Sequence, residues 1–277
     1  MRERPVSMRG IRQLVRKDMA DAVRERQLHL LCGILGLFGL LFAYGSHQNV
    51  GEGLLFFLVF LAPLAAVAFT HQSIVGRRAN HEYSVLLGLP FSRADIILGT
   101  FIGRTLVLVA GITSLYVGAL IGGFVSATSF DWSVLAIGFL FGLLIGLIFV
   151  SIAIGLSAWT ESTAVASGGA FGVYLLFVFQ LWGIIPDAVA YLLHGFESPS
   201  SRPPGAAFFE SLSPFDALGN AVEPFSEQLA VNLPLISGES TGSAALYQEP
   251  WFGGLVLAGW LIVPIALGYW RFATSDL

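Results

Sequence analysis

The sequence predicts an all-α membrane protein with six transmembrane helices and an N-terminal amphipathic surface helix. Of its 277 residues, 55 % are hydrophobic and only 12 % are charged, about half the charged fraction that is usual in a soluble protein. Charged residues are missing from several long apolar stretches, and basic and acidic residues are concentrated in different parts of the chain. These observations predict one transmembrane domain over residues 1–277.

The N-terminal segment, residues 1–27, holds eight of the fourteen basic side chains. Apolar residues recur in it at helical spacing, with arginines on the other faces. Such a basic amphipathic helix is typical of a membrane surface, and a soluble helix packed on a partner is the alternative. A cleavable signal peptide is not expected, because the charged region is long and mixed. The apolar positions are Ile11, Leu14, Val15, Met19, Ala22 and Val23.

Six apolar segments follow, and the length of each is close to or above the roughly 20 residues that a helix needs to cross a bilayer. The third and fourth exceed the required length, so we expect them to tilt or to extend beyond the membrane. The predicted spans lie near residues 28–45, 54–75, 96–125, 132–158, 162–185 and 251–270.

The distribution of arginine orients these spans. Residues 76–95 contain three arginines, whereas the links 46–53 and 126–131 contain no lysine or arginine. The long segment 186–250 has one basic residue against eight acidic ones. Because positive residues gather in cytoplasmic loops, both termini and residues 76–95 are predicted to be cytoplasmic and residues 186–250 extracellular.

Two further features of the composition bear on the source and on metal chemistry. Lys17 is the only lysine against thirteen arginines, a bias that suits a halophilic prokaryote and also a GC-rich genome. The single cysteine, Cys32, allows no disulfide within one chain. The five scattered histidines and three methionines form no ligand cluster, so no metal site is predicted.

The loop at residues 76–95 has the features of a docking element. Residues 84–89 are predicted to form a short helix, which Pro90 ends. Ser92 and Asp95 form the Ser-x-x-Asp pattern of a capping box at the start of the next helix. A short helix that turns sharply into a long span could transmit force from a docked protein; an ordinary loop with a helix cap is the alternative.

Glycine spacing predicts faces for helix packing. Gly138, Gly142 and Gly146 recur at four-residue steps in the fourth predicted span. Small residues at this spacing let helices approach closely in a membrane, either within one subunit or between two copies. The third span repeats the spacing, at Gly99 with Gly103 and at Gly118 with Gly122.

The same loop resembles that of ABC type 2 permeases, which carry Glu, a Thr/Ser-Leu pair, Leu-Leu, Pro, Ser-Arg and Gly-Lys between their second and third spans. The family's lysine is replaced here by Thr100. With the six spans, the basic leading helix and the large last outer loop, the resemblance covers nearly the whole chain. The matching residues in the loop are Glu82, Ser84, Leu86, Leu87, Pro90, Ser92, Arg93 and Gly99. Ser157, Thr160, Ser162 and Ala164 resemble the family's turn between spans four and five, and Ser213-Pro214-Phe215 its segment before the last span.

The resemblance implies the permease subunit of an ATP-driven ABC transporter, an exporter similar to type V exporters, in a prokaryotic plasma membrane. The leading helix would be a connecting helix, and residues 77–89 a coupling helix that docks on a separate ABC ATPase. Two permeases, as a homodimer or a paired assembly, would rock as ATP closes the ATPases. The docking residues implied are Arg77, Arg78, Glu82, Ser84, Leu86, Leu87, Pro90, Ser92 and Arg93.

The energy source is expected to lie outside the chain. The sequence contains no Gly-x-x-x-x-Gly-Lys-Ser/Thr phosphate loop, so we expect no bound cofactor and no enzymatic activity in the chain itself. ATP and magnesium are expected on the partner ATPase. Membrane lipid is the other expected partner, and no nucleic acid is expected.

A stand-alone membrane protein, either a secondary carrier or a structural partner, remains the alternative. A carrier needs ionisable groups near mid-membrane. The histidines and arginines inside the predicted spans are His29, His71 and Arg104, all toward the cytoplasmic ends. We expect His71 to be interfacial and Arg104 to reach the lipid headgroups. A membrane protease is disfavoured, because Ser167 precedes two glycines that favour close packing. Residues 186–196 fit either a re-entrant helix or a solvated loop.

Overall fold

We describe the fold from a computed structural model, whose described residues are 6–46, 50–80, 91–197, 202–203, 205–222 and 246–274. Within them every regular element is helical. The helices are α1 (Met8–Arg24), α2 (Gln27–Gly45), α3 (Val50–Thr70), α4 (Val75–Ala79), α5 (Arg93–Val125), α6 (Trp132–Trp159), α7 (Thr163–Val178), α8 (Leu181–Leu193), α9 (Ala206–Ser211), α10 (Pro214–Val222) and α11 (Pro250–Thr274), with a 3-10 turn at Leu246–Gln248.

Five stretches of the described chain are long and apolar enough to cross a bilayer. They are Gln27–Gly45, Gly53–Ala79, Arg93–Val125, Trp132–Trp159 and Pro250–Thr274. The all-α membrane fold is therefore confirmed, with these spans near their predicted positions. α5 has 33 residues and is about 50 Å long at 1.5 Å per residue, well beyond a hydrocarbon core of roughly 30 Å.

The fifth predicted span differs from the expectation of one helix over 162–185. α7 and α8 together pass the same test of length and composition, but the chain bends by 85° between them. The bend occurs where Gln180 adopts a left-handed backbone conformation with φ of 54°, which ends one helix and starts the next. The pair is either one broken span or a re-entrant loop.

The helices pack into two compact units, Met1–Phe171 with Leu261–Leu277, and Gly172–Trp260. In the first unit α1 and α2 pack along α5, and α3 packs along α6. The largest fully buried side chains all belong to this unit: Leu54, Leu58, Ile74, Ile96, Ile97, Ile112, Leu115, Ile145, Ile148, Phe149, Ile154 and Phe272. The boundaries between the two units fall inside α7 and α11. That residues 1–277 form a single domain remains a prediction.

Glycine brings α2 and α5 to backbone contact. A Cβ atom on Gly118 would lie 2.0 Å from the carbonyl oxygen of Gly36, and one on Gly122 would lie 2.2 Å from that of Leu40. Neither position accepts a larger residue unless the helix backbones separate. This is the close approach that small residues allow in membrane proteins.

The stripe of Gly138, Gly142 and Gly146 packs within the chain. A Cβ on Gly142 would lie 2.2 Å from the side chain of Leu58 on α3, and one on Gly146 would lie 2.6 Å from Leu108 on α5. The face therefore receives leucine side chains of the same subunit.

The second unit contains a cluster of aromatic side chains. Trp182 stacks on Phe209, with ring centroids 4.4 Å apart, and its Nε1 donates a hydrogen bond to the Phe209 carbonyl at 2.8 Å. The Trp260 Nε1 donates to the Leu212 carbonyl at 2.8 Å. The Ser213 hydroxyl caps α10 by accepting from the backbone N–H of Asp216 at 3.3 Å. Burial raises the pKa of the Asp216 carboxyl, and a hydrogen bond from Ser213 partly opposes this.

α8 covers most of residues 186–196, for which both a re-entrant helix and a solvated loop had been left open. It carries strongly exposed apolar side chains, with Leu192 at 60 % and Leu193 at 80 % exposure. Such an exposed apolar surface is favourable in contact with lipid and unfavourable in contact with water.

Candidate functional site

The predicted docking residues fall into two groups. Five of them lie outside the described residues: Glu82, Ser84, Leu86, Leu87 and Pro90. The helix predicted over 84–89 lies there too. The other four, Arg77, Arg78, Ser92 and Arg93, flank segment 81–90 on its two sides. We call the part of the first unit that carries these four residues the arginine end.

The chain that leads into segment 81–90 is fixed by a serine of another helix. Ser157, which is fully buried in α6, accepts hydrogen bonds from the backbone N–H groups of Ile74 at 3.1 Å and Val75 at 3.0 Å. These N–H groups open α4, where no residue of the same helix can accept from them. Ser157 therefore caps α4 across the helix interface.

Arg78 holds the same side of the segment against two further elements. Its guanidinium lies 3.8 Å from the Glu161 carboxylate, in the turn between α6 and α7. It also lies 5.4 Å from the centroid of the Phe272 ring, near the end of α11, within the range of a cation–π contact.

Arg77 belongs to a buried polar cluster that we call the Asp18 cluster, formed by Asp18, Gln27, Arg77, Thr100 and Arg104. The Asp18 carboxylate, only 1 % exposed, pairs with the Arg77 guanidinium and with Arg104 at 3.2 Å. Arg77 also donates to the Thr100 hydroxyl at 3.3 Å. Thr100 occupies the position of the family's lysine, and the hydroxyl there gives Arg77 an acceptor.

Glycines of α5 bring α1 close enough to form this cluster. The buried face of α1 consists of Gly10, Leu14, Asp18 and Ala22, spaced four residues apart along one side of the helix. A Cβ on Gly99 would lie 2.7 Å from Leu14, and one on Gly103 would lie 2.6 Å from a carboxylate oxygen of Asp18. The spacing predicted to pack helices therefore also makes room for the carboxylate.

Arg104 does not reach the lipid headgroups, and that expectation was wrong. The residue is 9 % exposed. It donates to the Gln27 side chain at 3.1 Å and to the Phe69 carbonyl, in the last turn of α3, at 2.9 Å. The partners on α1, α2 and α3 retain the guanidinium inside the protein, because a buried charge with several hydrogen-bonding partners is stable where a lone one is not.

The chain that leaves segment 81–90 is fixed by the predicted capping box, which is confirmed. The Ser92 hydroxyl accepts from the Asp95 N–H at 3.0 Å, and the Asp95 carboxylate accepts from the Ser92 N–H at 2.9 Å. The second carboxylate oxygen of Asp95 accepts from the Ser7 N–H at 2.9 Å. One fully buried carboxylate therefore caps α5 and also holds the start of α1.

Arg93 connects the same side to the last span. It donates to the backbone carbonyls of Phe272 and Ala273, the latter at 2.8 Å. These carbonyls belong to the last turn of α11, where a cation is favoured by the helix dipole. The guanidinium also lies 5.7 Å from the Phe272 ring centroid. Phe272 thus contacts both Arg78 and Arg93, one from each side of segment 81–90.

Sequence reasoning missed several residues that build this site. Asp18 was detectable, because it lies on the same helical face as Leu14 and Ala22, and a carboxylate on the packing side of a helix needs a cationic partner. Ser157 was noticed only for its likeness to a family turn. The contacts of Phe272 depend on tertiary packing that no local pattern reports.

The contacts at the arginine end connect helices and place no reactive groups together. Among the described residues no three His, Cys, Asp or Glu side chains form a group that could hold a metal ion. Residues of α1, α5, α6 and α11 bind the chain on one side or the other of segment 81–90.

Comparison with known proteins identifies the family of the chain. Residues 12–277 match the family described as ABC-2 family transporter protein. The chain is similar to a probable ABC transporter permease protein NosY of Stutzerimonas stutzeri, at 26 % identity over 288 residues, which covers 95 % of this chain and 97 % of that protein. A protein of the same description from Pseudomonas aeruginosa is 26 % identical over 205 residues, covering 69 % of this chain and 74 % of that protein. The chain belongs to the ABC-2 family, as a membrane permease subunit of an ABC transporter.

Proposed function

We propose that this permease is the membrane half of an ATP-driven exporter, and that segment 77–89 docks on a separate ATPase in the cytoplasm. The observation that carries the proposal is that charged side chains bind other helices on both sides of segment 81–90. Arg77 pairs with Asp18 before it, and Arg93 binds the end of α11 after it. A segment held in this way can pass a push from a docked protein to several helices at once.

The surroundings of the segment support a coupling role over an ordinary loop. A surface loop needs no buried ion pairs, which cost free energy to desolvate and are retained only where the geometry is good. Here Asp18 and Asp95 are 1 % and 0 % exposed, and each connects α1 to one side of the segment. Within this proposal α1 is the connecting helix.

The energy would come from the partner. Membership of the family implies an ATPase partner, and the sequence has no phosphate-binding loop of its own. ATP and magnesium would therefore bind the ATPase, and this chain would convert its closure into movement of the spans. Family membership also favours this function over a stand-alone carrier. The resemblance of the chain to type V exporters favours export over import.

The distribution of basic residues supports a plasma-membrane protein whose arginine end faces the cytoplasm. Arg9, Arg12 and Arg16 are exposed on α1, on the side opposite the buried Leu14 and Asp18. An amphipathic helix with this basic face suits the anionic cytoplasmic leaflet. With an even number of spans, both termini would then be cytoplasmic, and residues 186–250 would be external.

Two copies, or this chain and a related permease, would form the membrane channel. The stripe of Gly138, Gly142 and Gly146 is filled by side chains of the same subunit, so it is not the surface we propose for pairing. The outer face of α2 is a better candidate, because its apolar side chains are more than half exposed and follow helical spacing: Leu30, Ile34, Leu37, Leu41 and Tyr44.

The test is co-purification of the detergent-solubilised chain with an ATPase from its native membrane. We expect the wild-type chain to retain an ATP-binding protein, and Glu82→Arg or Leu86→Arg to lose it while the chain stays folded. Ser129→Arg is the matched control for Leu86→Arg, because it adds the same single positive charge at an exposed position in the link between α5 and α6. Absence of any ATP-binding protein from the wild-type preparation would refute the proposal, and unchanged binding by both loop variants would refute the docking role.

A further inference from the structure

Asp18 is a buried carboxylate on a helix whose exposed face is basic. The structure places it between two guanidiniums that belong to different helices, Arg77 on α4 and Arg104 on α5. α1 needs no carboxylate to pack on α5, since Gly10, Leu14 and Ala22 share the buried face. The acidic residue therefore adds a specific connection to two arginines, beyond the packing of these three residues.

The two arginines lie at different depths. Arg77 is four residues before the start of segment 81–90. Arg104 lies eleven residues into α5, roughly 16 Å from Arg93 at 1.5 Å per residue. Segment 81–90 is therefore connected to α5 twice, directly through Arg93 at its end and indirectly through Arg77 and Asp18 near Arg104.

The indirect connection is stiff for steric and electrostatic reasons. Asp18 receives charge-assisted hydrogen bonds from both arginines. Its carboxylate lies where a Cβ on Gly103 would be 2.6 Å away, so it has little room to move toward α5. If Arg77 moved alone, the buried Asp18 carboxylate would lose one of its two cationic partners, which is unfavourable in a low dielectric.

We infer that Asp18 is a positioning residue for coupling, which carries displacement of the docked segment from Arg77 through α1 to Arg104 in the interior of α5. The inference rests on the proposed function. Arg77 belongs to the segment 77–89 that we propose to dock, but its guanidinium binds Asp18 and Thr100. We therefore assign the ATPase contact to the other residues of that segment.

The test measures ATP hydrolysis by the complex of the full chain with its co-purified ATPase, and by the ATPase alone. The difference in kcat between the two reports coupling, and the KM for ATP reports the nucleotide site. The double variant Asp18→Asn/Arg77→Gln removes one charge of each sign, so the net charge is kept. The matched control Lys17→Gln/Asp21→Asn removes the same charges from an ion pair on α1 whose side chains are 41 % and 31 % exposed.

We expect the double variant to keep the ATPase bound and the KM unchanged, while the kcat difference falls about fivefold or more, within the range that loss of a coupled contact produces. The control should behave as wild type. A second pair of variants leaves Asp18 paired with Arg104: Arg77→Lys should retain most of the kcat difference, and Arg77→Gln should lose it.

Two results would overturn the inference. One is a wild-type kcat difference in both Arg77→Gln and the double variant. The other is loss of the ATPase from folded Arg77→Gln, which would make Arg77 a docking contact. Failure of the wild-type chain to bind or affect any ATPase is a separate result, which would refute the proposed function itself.

Discussion

The contact between α2 and α5 allows a sharp test of the packing in the first unit. Gly39 of α2 is buried against the α5 backbone, and a Cβ there would lie 2.1 Å from the carbonyl oxygen of Leu115 and 3.0 Å from the backbone nitrogen of Ala119. Real Cβ atoms essentially never come within 3.0 Å of a heavy atom from another helix. In Gly39→Ala the two helices must therefore separate by about 0.9 Å, the difference between the 3.0 Å limit and the 2.1 Å distance to the Leu115 carbonyl oxygen.

This separation has a predictable cost. Overpacking a well-packed interface costs about 1–3 kcal/mol, and a gap of roughly 0.5–1 Å forfeits a quarter to a half of the dispersion attraction of the neighbouring atoms. Because the obstacle is backbone, which cannot rotate away, we expect a loss of about 3 kcal/mol in the free energy of unfolding.

The matched control lies on the same helix. Gly33→Ala makes the same chemical change at a position where, apart from the adjoining backbone of α2 itself, the new Cβ would have no heavy atom within 4 Å, so its effect should stay within about 0.5 kcal/mol. The assay is reversible unfolding in mixed micelles by a denaturing detergent, followed by circular dichroism. Equal stability of the two variants would refute the backbone contact between α2 and α5.

Three further predictions concern helix caps and the second unit. Ser92→Ala removes the cap of α5 and should lower the free energy of unfolding by about 1 kcal/mol in the same titration, whereas Ser92→Thr should not; equal losses would argue against the cap. Hydrogen bonds from the Ser133 side chain and from the Val134 backbone N–H lower the pKa of the Asp131 carboxyl below its ordinary 3.8. The ionised carboxylate caps α6, so the cap stabilises the helix fully above pH 3.8 and is lost as the pH falls through the lowered pKa. Thermal unfolding of Asp131→Asn should therefore depend less on acid than wild type, and identical acid profiles would contradict this. Trp182→Phe keeps an aromatic ring but loses the Nε1 hydrogen bond to the Phe209 carbonyl, at a cost of about 1 kcal/mol in the unfolding titration; no loss would mean that the bond contributes nothing.

The fold was largely predictable, because the bilayer imposes a strong local rule. Apolar runs of sufficient length and the Ser92–Asp95 capping pattern are written in consecutive residues, and both appear in the structure. The fifth span was the exception. A left-handed Gln180 divides it, and glutamine has no strong preference for that conformation, so the sequence contains no clear signal for the 85° bend.

The site was predictable only in outline. The pattern of the loop placed Arg77, Arg78, Ser92 and Arg93 on either side of one segment. Their partners come from positions far away in the chain, such as Asp18 and the carbonyls near Phe272. Local periodicity does not report which buried acid meets which arginine. Arg104 shows the consequence: an arginine near a predicted membrane boundary was expected to reach the headgroups, and three other helices provide its partners instead.

The side of the membrane on which segment 77–93 lies is the most direct test of the central claim, since an ATPase can dock only from the cytoplasm. Ala79 is exposed at the end of α4, and Cys32 is the only native cysteine, so Ala79→Cys in a Cys32→Ser chain gives a single reporter. Ser129→Cys in the same background is the control for the other side. We predict that a membrane-impermeant maleimide labels position 79 in inside-out vesicles and position 129 in right-side-out vesicles. Labelling of position 79 in intact right-side-out vesicles would contradict the docking of an ATPase on this segment.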